Sequence, residues 1–263
     1  MFLELYKLKK VSYTSAGSRN LTIFSTNFNL QNKLKSLSLF KKWNSGRNIT
    51  GRVVIRTKTS LLRKNKTIKI NYNLRQLRLG FLISFIFIPF KNKLLSLIYY
   101  SNGSFSYFLT GESHKLFFFI YSQSVRRLKK VKFKNFFFML FQIQKLSFVS
   151  LVELIPGKGS QYVRSSGVKS RIIKFDHDNH SVLLKLPSGV KKVFSYYSYV
   201  MLDRIALSNN VNFYNGKAGY WRSFGIKSLV RGVAMNPVDH PHGGRTKAVK
   251  YPRTPWGKTT KFK

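Results

Sequence analysis

From residue 208 to the carboxy terminus the chain can sustain neither a long helix nor an interior strand. Gly216, Gly219, Gly225, Gly232, Gly243, Gly244 and Gly257, with Pro237, Pro241, Pro252 and Pro255, interrupt it every few residues. Proline removes a backbone donor and fixes φ, and glycine weakens helix and strand alike. Residues 231–263 also hold eight Lys or Arg and one acid. So little apolar side chain beside so much charge cannot order a segment by burial alone. Its shape must come from what it binds.

Charge says what kind of partner that is. The 263 residues carry 48 Lys plus Arg against 7 Asp plus Glu, a formal net charge of +41. A net charge of about 2–8 keeps a small domain soluble, so the excess points to a polyanion. Nucleic acid is favoured, because each cation that neutralises a phosphate releases condensed counterions. The acids are Glu4, Glu112, Glu153, Asp176, Asp178, Asp203 and Asp239. Only Asp176 and Asp178 are neighbours, a poor supply for paired-carboxylate catalysis or a hard-metal site. Cysteine is absent, which excludes disulfides, thiolate zinc and a Cys nucleophile.

Phe (24) and Tyr (14) are abundant, and Lys, Asn, Ile and Ser also look over-used. These residues have AT-rich codons, a bias expected of an organellar genome. The opening MFLELYKLKK has no signal-peptide layout and is not an Arg- and Ser-rich presequence. The expectation is a protein made in the organelle where it works. No membrane span is expected. FLISFIFIPF (81–90) is ten residues long, and FFFMLFQIQKLSFVSLVELI (136–155) is interrupted by Gln142, Gln144, Lys145 and Glu153, whereas a spanning helix needs about 20 apolar residues.

Both runs read as buried strands within a mainly β chain. Residues 1–43 form a basic extension, which could lie on a partner or fold by itself. RVVIRTK (52–58), TIKINYN (67–73), LLSLIYY (94–100), SFSYFLT (104–110), KLFFFIY (115–121) and FFFMLFQI (136–143) predict strands of a first small barrel or sandwich at 44–146. Asn102-Gly103 marks a hairpin whose two central residues are expected at positive φ. VKSRIIKF (168–175), SVLLKL (181–186) and KKVFSYY (191–197), split by DHDN (176–179) and PSG (187–189), predict a second compact barrel at 147–207. An arm follows at 208–263.

Several motifs carry chemistry on paper. DHDNH (176–180) could supply metal ligands, but Asp and Asn between alternating runs favour a turn. PGKGSQYVRSSG (156–167) fails the phosphate-loop pattern, since Val152 stands six before Lys158. It remains a basic glycine turn suited to phosphate oxygens. In KAGYWRSFG (217–225), Trp221 either stacks on an unpaired base or caps a core. In RGVAMNPVDHPHGGRTK (231–247), a catalytic role for His240 and His242 lacks an orienting acid, because adjacent Asp239 points away in an extended segment. Pro237 and Pro241 instead bias the chain towards an extended path past phosphates.

RGVAMNPVDHPHGG (231–244) followed by TPWGKTTK (254–261) resembles the signature of the universal large-subunit ribosomal protein of the L-two family. PGKGSQYVRSSG, GKAGYWRSFGIKSLVRG (216–232) and SGRNITGRV (45–53) are similar to further elements of that family. The resemblance implies an OB-like barrel, then an SH3-like barrel, with extended basic amino- and carboxy-terminal arms. It implies a non-enzymatic role, binding large-subunit rRNA near the peptidyl-transferase region. It also implies neighbouring ribosomal proteins and a bridge to the small subunit as partners. Carried onto this chain, the RNA contacts are Arg47, Asn48, Arg52, Lys158, Gly159, Arg164, Lys217, Trp221, Arg222, Arg231, Asn236, Asp239, His240, His242, Gly243, Gly244 and Arg245, with His240 in a positioning role. No catalytic residue, metal site or cofactor is implied, and any magnesium would come with the rRNA.

The chain departs from the family at TSLLRKNK (59–66), where relatives carry a Gly-Gly-Gly-His-Lys element, and in the aromatic richness of 74–146. With the codon bias, these features suggest a mitochondrial member, with a plastid as alternative. Two other classes compete: a metal-dependent hydrolase built on Asp239, His240 and His242, and a membrane-attached basic protein.

Overall fold

Period-two runs become strands in the computed structural model, which describes residues 7–25, 34–39, 43–59, 67–75, 79–88, 92–122, 136–208, 215–245, 249 and 251–260. Much of the 1–43 extension, the end of the 81–90 run and residues 60–66 of TSLLRKNK lie outside the described residues. The strands are β1 (Lys7–Lys10), β2 (Thr22–Ser25), β3 (Ser38–Leu39), β4 (Thr67–Ile68), β5 (Gly80–Ile88), β6 (Lys93–Tyr100), β7 (Phe105–Leu109), β8 (Phe119–Ser122) and β9 (Phe136–Met139). They continue with β10 (Phe148–Val149), β11 (Val152–Glu153), β12 (Ser160–Tyr162), β13 (Ser170–Asp176), β14 (Ser181–Lys185), β15 (Lys191–Ser195) and β16 (Tyr199–Met201). The fold is mainly β. Among the described residues no helix is long and apolar enough to cross a membrane.

The chain divides into two units, and these are not consecutive segments. One comprises Met1–Lys41 and Lys66–Ala218, the other Lys42–Asn65 and Gly219–Lys263.

The first unit holds a six-stranded sheet, order β16-β9-β8-β5-β6-β7, and a four-stranded sheet, order β10-β13-β14-β15. Pairing in both is antiparallel except between β8 and β9. Each sheet carries an irregularity, at Leu82/Ser84 and at Ile172/Lys174. One extra residue on one strand bends a sheet and lets it curl around a core.

Among the described residues there are two cores, and they share a wall. Leu82, Phe85, Leu95, Ile98, Tyr107 and Phe108 belong to the first; Val149, Ile172, Val182, Leu184 and Phe194 belong to the second. In β9 and β16, successive side chains point to opposite faces. Phe137 and Met139, with Tyr199 and Met201, enter the first core, while Phe138 and Val200 enter the second. The register pairs Val200 with Phe138 and Tyr199 with Met139. That is why residues 137–140 lack the polar alternation of a one-sided strand: they are covered on both faces.

Hairpins form at Asn102-Gly103, DHDN and PSG, the first with a different turn from that expected. Gly103 has φ 79, but Asn102 is not at positive φ. Gly103 N–H donates to the Tyr100 carbonyl (2.9 Å), and Tyr100 N–H donates to that of Ser104 (2.9 Å). This is a three-residue loop in which glycine supplies the one left-handed position. PSG repeats the pattern around Gly189.

Four strand predictions shrink: KLFFFIY is a strand only from Phe119, and FFFMLFQI leaves the sheet after Met139. RVVIRTK makes only isolated bridges, at Val53 and Lys58, and exposes Val53, Val54 and Ile55. TIKINYN is a strand only at β4. A β-branched run needs neighbouring strands to cover it, and among the described residues no sheet lies beside 52–58. Residues 7–25, by contrast, fold: β1 pairs with β2, and Leu21 bridges to Asn215.

Candidate nucleic-acid interface

Four of the anticipated contacts lie in the first unit. The glycine turn at 156–159 is held by Glu153, whose Oε2 accepts the Gly157 N–H at 3.2 Å. This leaves Lys158 exposed, while Gly159 is buried against the Tyr72 backbone. Arg164 is exposed with its guanidinium over the Tyr72 ring, 5.0 Å from the centroid. The Tyr72 hydroxyl is pushed above its usual pKa by burial, partly offset by Arg164. Lys217 is exposed and lies along Gly17, where any side chain would collide with its methylenes.

The remaining residues lie in the second unit. At 47–53, Asn48 does not point outward as a free contact. Its Oδ1 accepts from Arg52 N–H (2.8 Å) and Thr50 Oγ1 (2.7 Å), tightening a loop that leaves Arg47 and Arg52 exposed. The chain continues alongside the carboxy-terminal segment: Thr59 N–H donates to the Gly225 carbonyl (2.9 Å) and Lys227 N–H to that of Thr57 (2.9 Å). A one-turn helix, α1 (Tyr220–Ser223), follows Gly219. Phe224 is the buried ring of this segment. Trp221 lies 6.3 Å from it at 38% exposure, and Arg222 is exposed. Trp221 is thus half committed to packing, with one side left open.

Residues 231–244 do not run extended, as the two prolines suggested. A 3-10 turn at Gly232–Ala234 is followed by Asp239 N–H and His240 N–H donating to the Asn236 carbonyl (3.0 and 3.2 Å). Gly243 N–H donates to His240 (2.9 Å) and Gly244 N–H to Met235 (3.2 Å), closing the loop. Glycine is required at the crossings. A Cβ on Gly243 would lie 2.3 Å from the Asn236 carbonyl oxygen, and one on Gly232 would lie 2.4 Å from His240 Nδ1.

Both histidines are engaged inside this loop. Buried His240 accepts the His242 N–H at Nδ1 (3.0 Å). Its pKa is lowered by burial, then by His242 and Arg56. The two rings lie 4.7 Å apart. His242 Nε2 accepts the Arg253 N–H at 2.8 Å, fastening the loop to the turn at 252–260. An imidazole that accepts a backbone N–H is neutral at that nitrogen, so this geometry is scaffolding rather than acid–base chemistry. Asp239 offers its backbone carbonyl to the Arg56 guanidinium (3.4 Å). Arg56 is a participant that the sequence did not single out, since its contact lies far along the chain. Among the described residues no three His, Cys, Asp or Glu converge on a metal position. Arg231, Asn236, Gly244 and Arg245 are exposed, and Gly243 is buried.

The DHDN stretch is a turn. Asn179 Nδ2 donates to Asp176 Oδ2 (2.9 Å), the leading reason the Asp176 pKa is lowered. His177 Nδ1 lies 3.0 Å from the Tyr196 hydroxyl.

The family described as Ribosomal Proteins L2, C-terminal domain, matches residues 136–257, beginning at the strand that walls both cores. The chain is 36% identical over 233 residues to large ribosomal subunit protein uL2 of Mycoplasmoides gallisepticum, covering 85% of this chain and 80% of the relative. The chain belongs to the uL2 family. It is also 33% identical over 240 residues to uL2 of Carsonella ruddii (88% of this chain, 97% of the relative), and 31% identical over 266 residues to uL2 of Rhodopseudomonas palustris (97% and 91%). In this uL2 chain residues 231–245 hold His240 inward and present Arg231 and Arg245 outward.

Proposed function

We propose that this uL2 chain is a structural, non-catalytic constituent of the large ribosomal subunit that binds large-subunit rRNA near the peptidyl-transferase region and supports subunit association. One observation carries the reading: the second unit leaves Arg47, Arg52, Arg222, Arg231 and Arg245 exposed, while its histidines serve its own backbone. Such a surface is a rigid rack of cations for phosphates. Lys158, Arg164 and Lys217 add contacts from the first unit. His240 positions the loop and takes no part in bond formation. In this reading residues 44–146 and 147–207 correspond to the OB-like and SH3-like barrels, and 208–263 to the rRNA-binding arm.

The test is co-sedimentation with large ribosomal particles, together with binding of the full chain to a large-subunit rRNA fragment at graded salt. Retention on particles and a steep fall in affinity with salt are expected; an RNA-free pool with salt-independent binding would refute the reading. The AT-biased composition favours a mitochondrial ribosome, with a plastid as the alternative. Isolated mitochondria labelled while cytosolic translation is blocked should make this product, and labelling only in plastids would reassign it.

A further inference from the structure

The first barrel carries a row of aromatic rings that the cationic interface does not use. Register places Phe119 of β8 opposite Phe81 of β5, Phe81 opposite Tyr99 of β6, and Tyr99 opposite Phe105 of β7. Four adjacent strands each contribute one ring at the same level. Their sequence neighbours Gly80, Leu82, Ile98, Tyr100 and Ile120 are buried, so strand alternation sends the row to the opposite face. Phe119 is 56% exposed, Phe105 42% and Tyr99 40%. Ring centroids are 5.4 Å apart for Phe81–Phe119 and 5.0 Å for Tyr99–Phe105.

A fifth ring is held there at a conformational cost. Phe117 has φ 62, a left-handed backbone that a bulky side chain rarely adopts. Its ring lies 5.9 Å from that of Phe81 and is largely exposed. Backbone strain of this kind persists where surroundings over-determine it, and it clusters at functional positions. Exposed apolar patches of this extent mark interaction surfaces.

Charge decides what covers it. Between residues 79 and 122 the only acid is Glu112, which faces Arg204 (4.0 Å) and Ser208. The Lys115 ammonium lies 5.8 Å from the Phe118 ring centre. A platform of rings on a chain of net charge +41, with Lys115 beside it, suits unpaired bases, whose π-faces stack on aromatics while their phosphates meet cations. An acidic protein surface is the other occupant such a face would admit, and crosslinking separates it from RNA. We propose that the row Phe119–Phe81–Tyr99–Phe105 is a stacking platform for single-stranded RNA, distinct from the arginine-rich surface of the second unit. The proposal rests on the ribosomal reading for its partner but on a different surface for its contacts.

The experiment compares the full chain with a Tyr99→Leu/Phe105→Leu double variant, which keeps apolar area and removes π-faces. Anisotropy of labelled oligouridylate, oligoadenylate and an RNA duplex of equal length is read at several salt concentrations. Single-strand affinity should fall about tenfold or more, with duplex affinity and salt slope unchanged. Irradiation of ribosomal particles at 254 nm should crosslink RNA to the peptide holding Tyr99 and Phe105. Phe119→Leu alone repeats the binding test should the double variant fail to fold. Unchanged single-strand affinity in a folded Leu variant, or crosslinks from that peptide to protein only, overturns the platform and leaves the rRNA reading standing. Failure of the unaltered chain to bind either RNA overturns both.

Discussion

Glu153→Ala should severely destabilise the first unit. The carboxylate is fully buried on β11, and its Oε2 accepts four hydrogen bonds. They come from Arg75 Nε (3.3 Å), Arg75 Nη2 (3.1 Å), Gly157 N–H (3.2 Å) and Tyr199 N–H (3.1 Å). Arg75 also donates to the Tyr197 carbonyl (2.7 Å) and lies over the Tyr199 ring (4.7 Å). One oxygen thus ties the glycine turn, the wall strand β16 and the 71–75 segment together. Removing one partner of a buried pair costs about 3–5 kcal/mol. Arg75 retains 29% exposure, so water relieves part of its stranded charge and the lower end, about 3 kcal/mol, is expected. For a unit of this size that corresponds to a Tm lowered by roughly 6–12 °C. Glu153→Gln can still accept but loses charge assistance, and should cost about 1–2 kcal/mol. Urea melts of the full chain followed by tyrosine fluorescence read both values. The Arg75→Met/Glu153→Met double variant should lose less than the two singles together, since the coupling is then gone. An Ala variant within 0.5 kcal/mol of the parent, a margin typical of neutral surface changes, would refute the latch.

Three further outcomes follow from the second unit. Because the folded pKa of His240 is depressed, its neutral form stabilises the loop above the ordinary histidine range, and that contribution is lost as pH falls. The protection of the Gly243, Gly244 and Arg253 amides against hydrogen exchange, after correction for intrinsic rates, should therefore fall between pH 7 and 5, and constant protection would count against it. Gly243→Ala should abolish incorporation into particles, since its Cβ meets backbone, whereas Gly219→Ala, with nothing within 4 Å, should be silent; equal incorporation of both would contradict the close crossing. Arg222→Ala and Arg245→Ala should each reduce the salt slope of rRNA binding by about one contact, and unaltered slopes would place those arginines in solvent.

How far the sequence reached depends on the range of the interaction. Hairpins at Asn102-Gly103, DHDN and PSG were legible because turn chemistry is local: a glycine at positive φ or an Asp–Asn side-chain bond acts within four residues. The motif RGVAMNPVDHPHGG and the cation surplus were legible for the same reason. The path of residues 231–244 was not. Pro237 and Pro241 fix two φ angles, but the loop is closed by Gly244 N–H on Met235 and by Arg253 N–H on His242, contacts that no local preference specifies.

By itself, then, the sequence determined a mainly β chain, its turns, its charge and its family. Tertiary structure alone decided that residues 42–65 join 219–263, that Arg56 meets Asp239, and that Glu153 is a latch rather than a surface acid. Propensity and charge are properties of neighbouring residues and can be read in order along the chain. Partners separated by dozens of residues are selected only when burial makes an unpaired polar group or an uncovered strand too costly to leave alone.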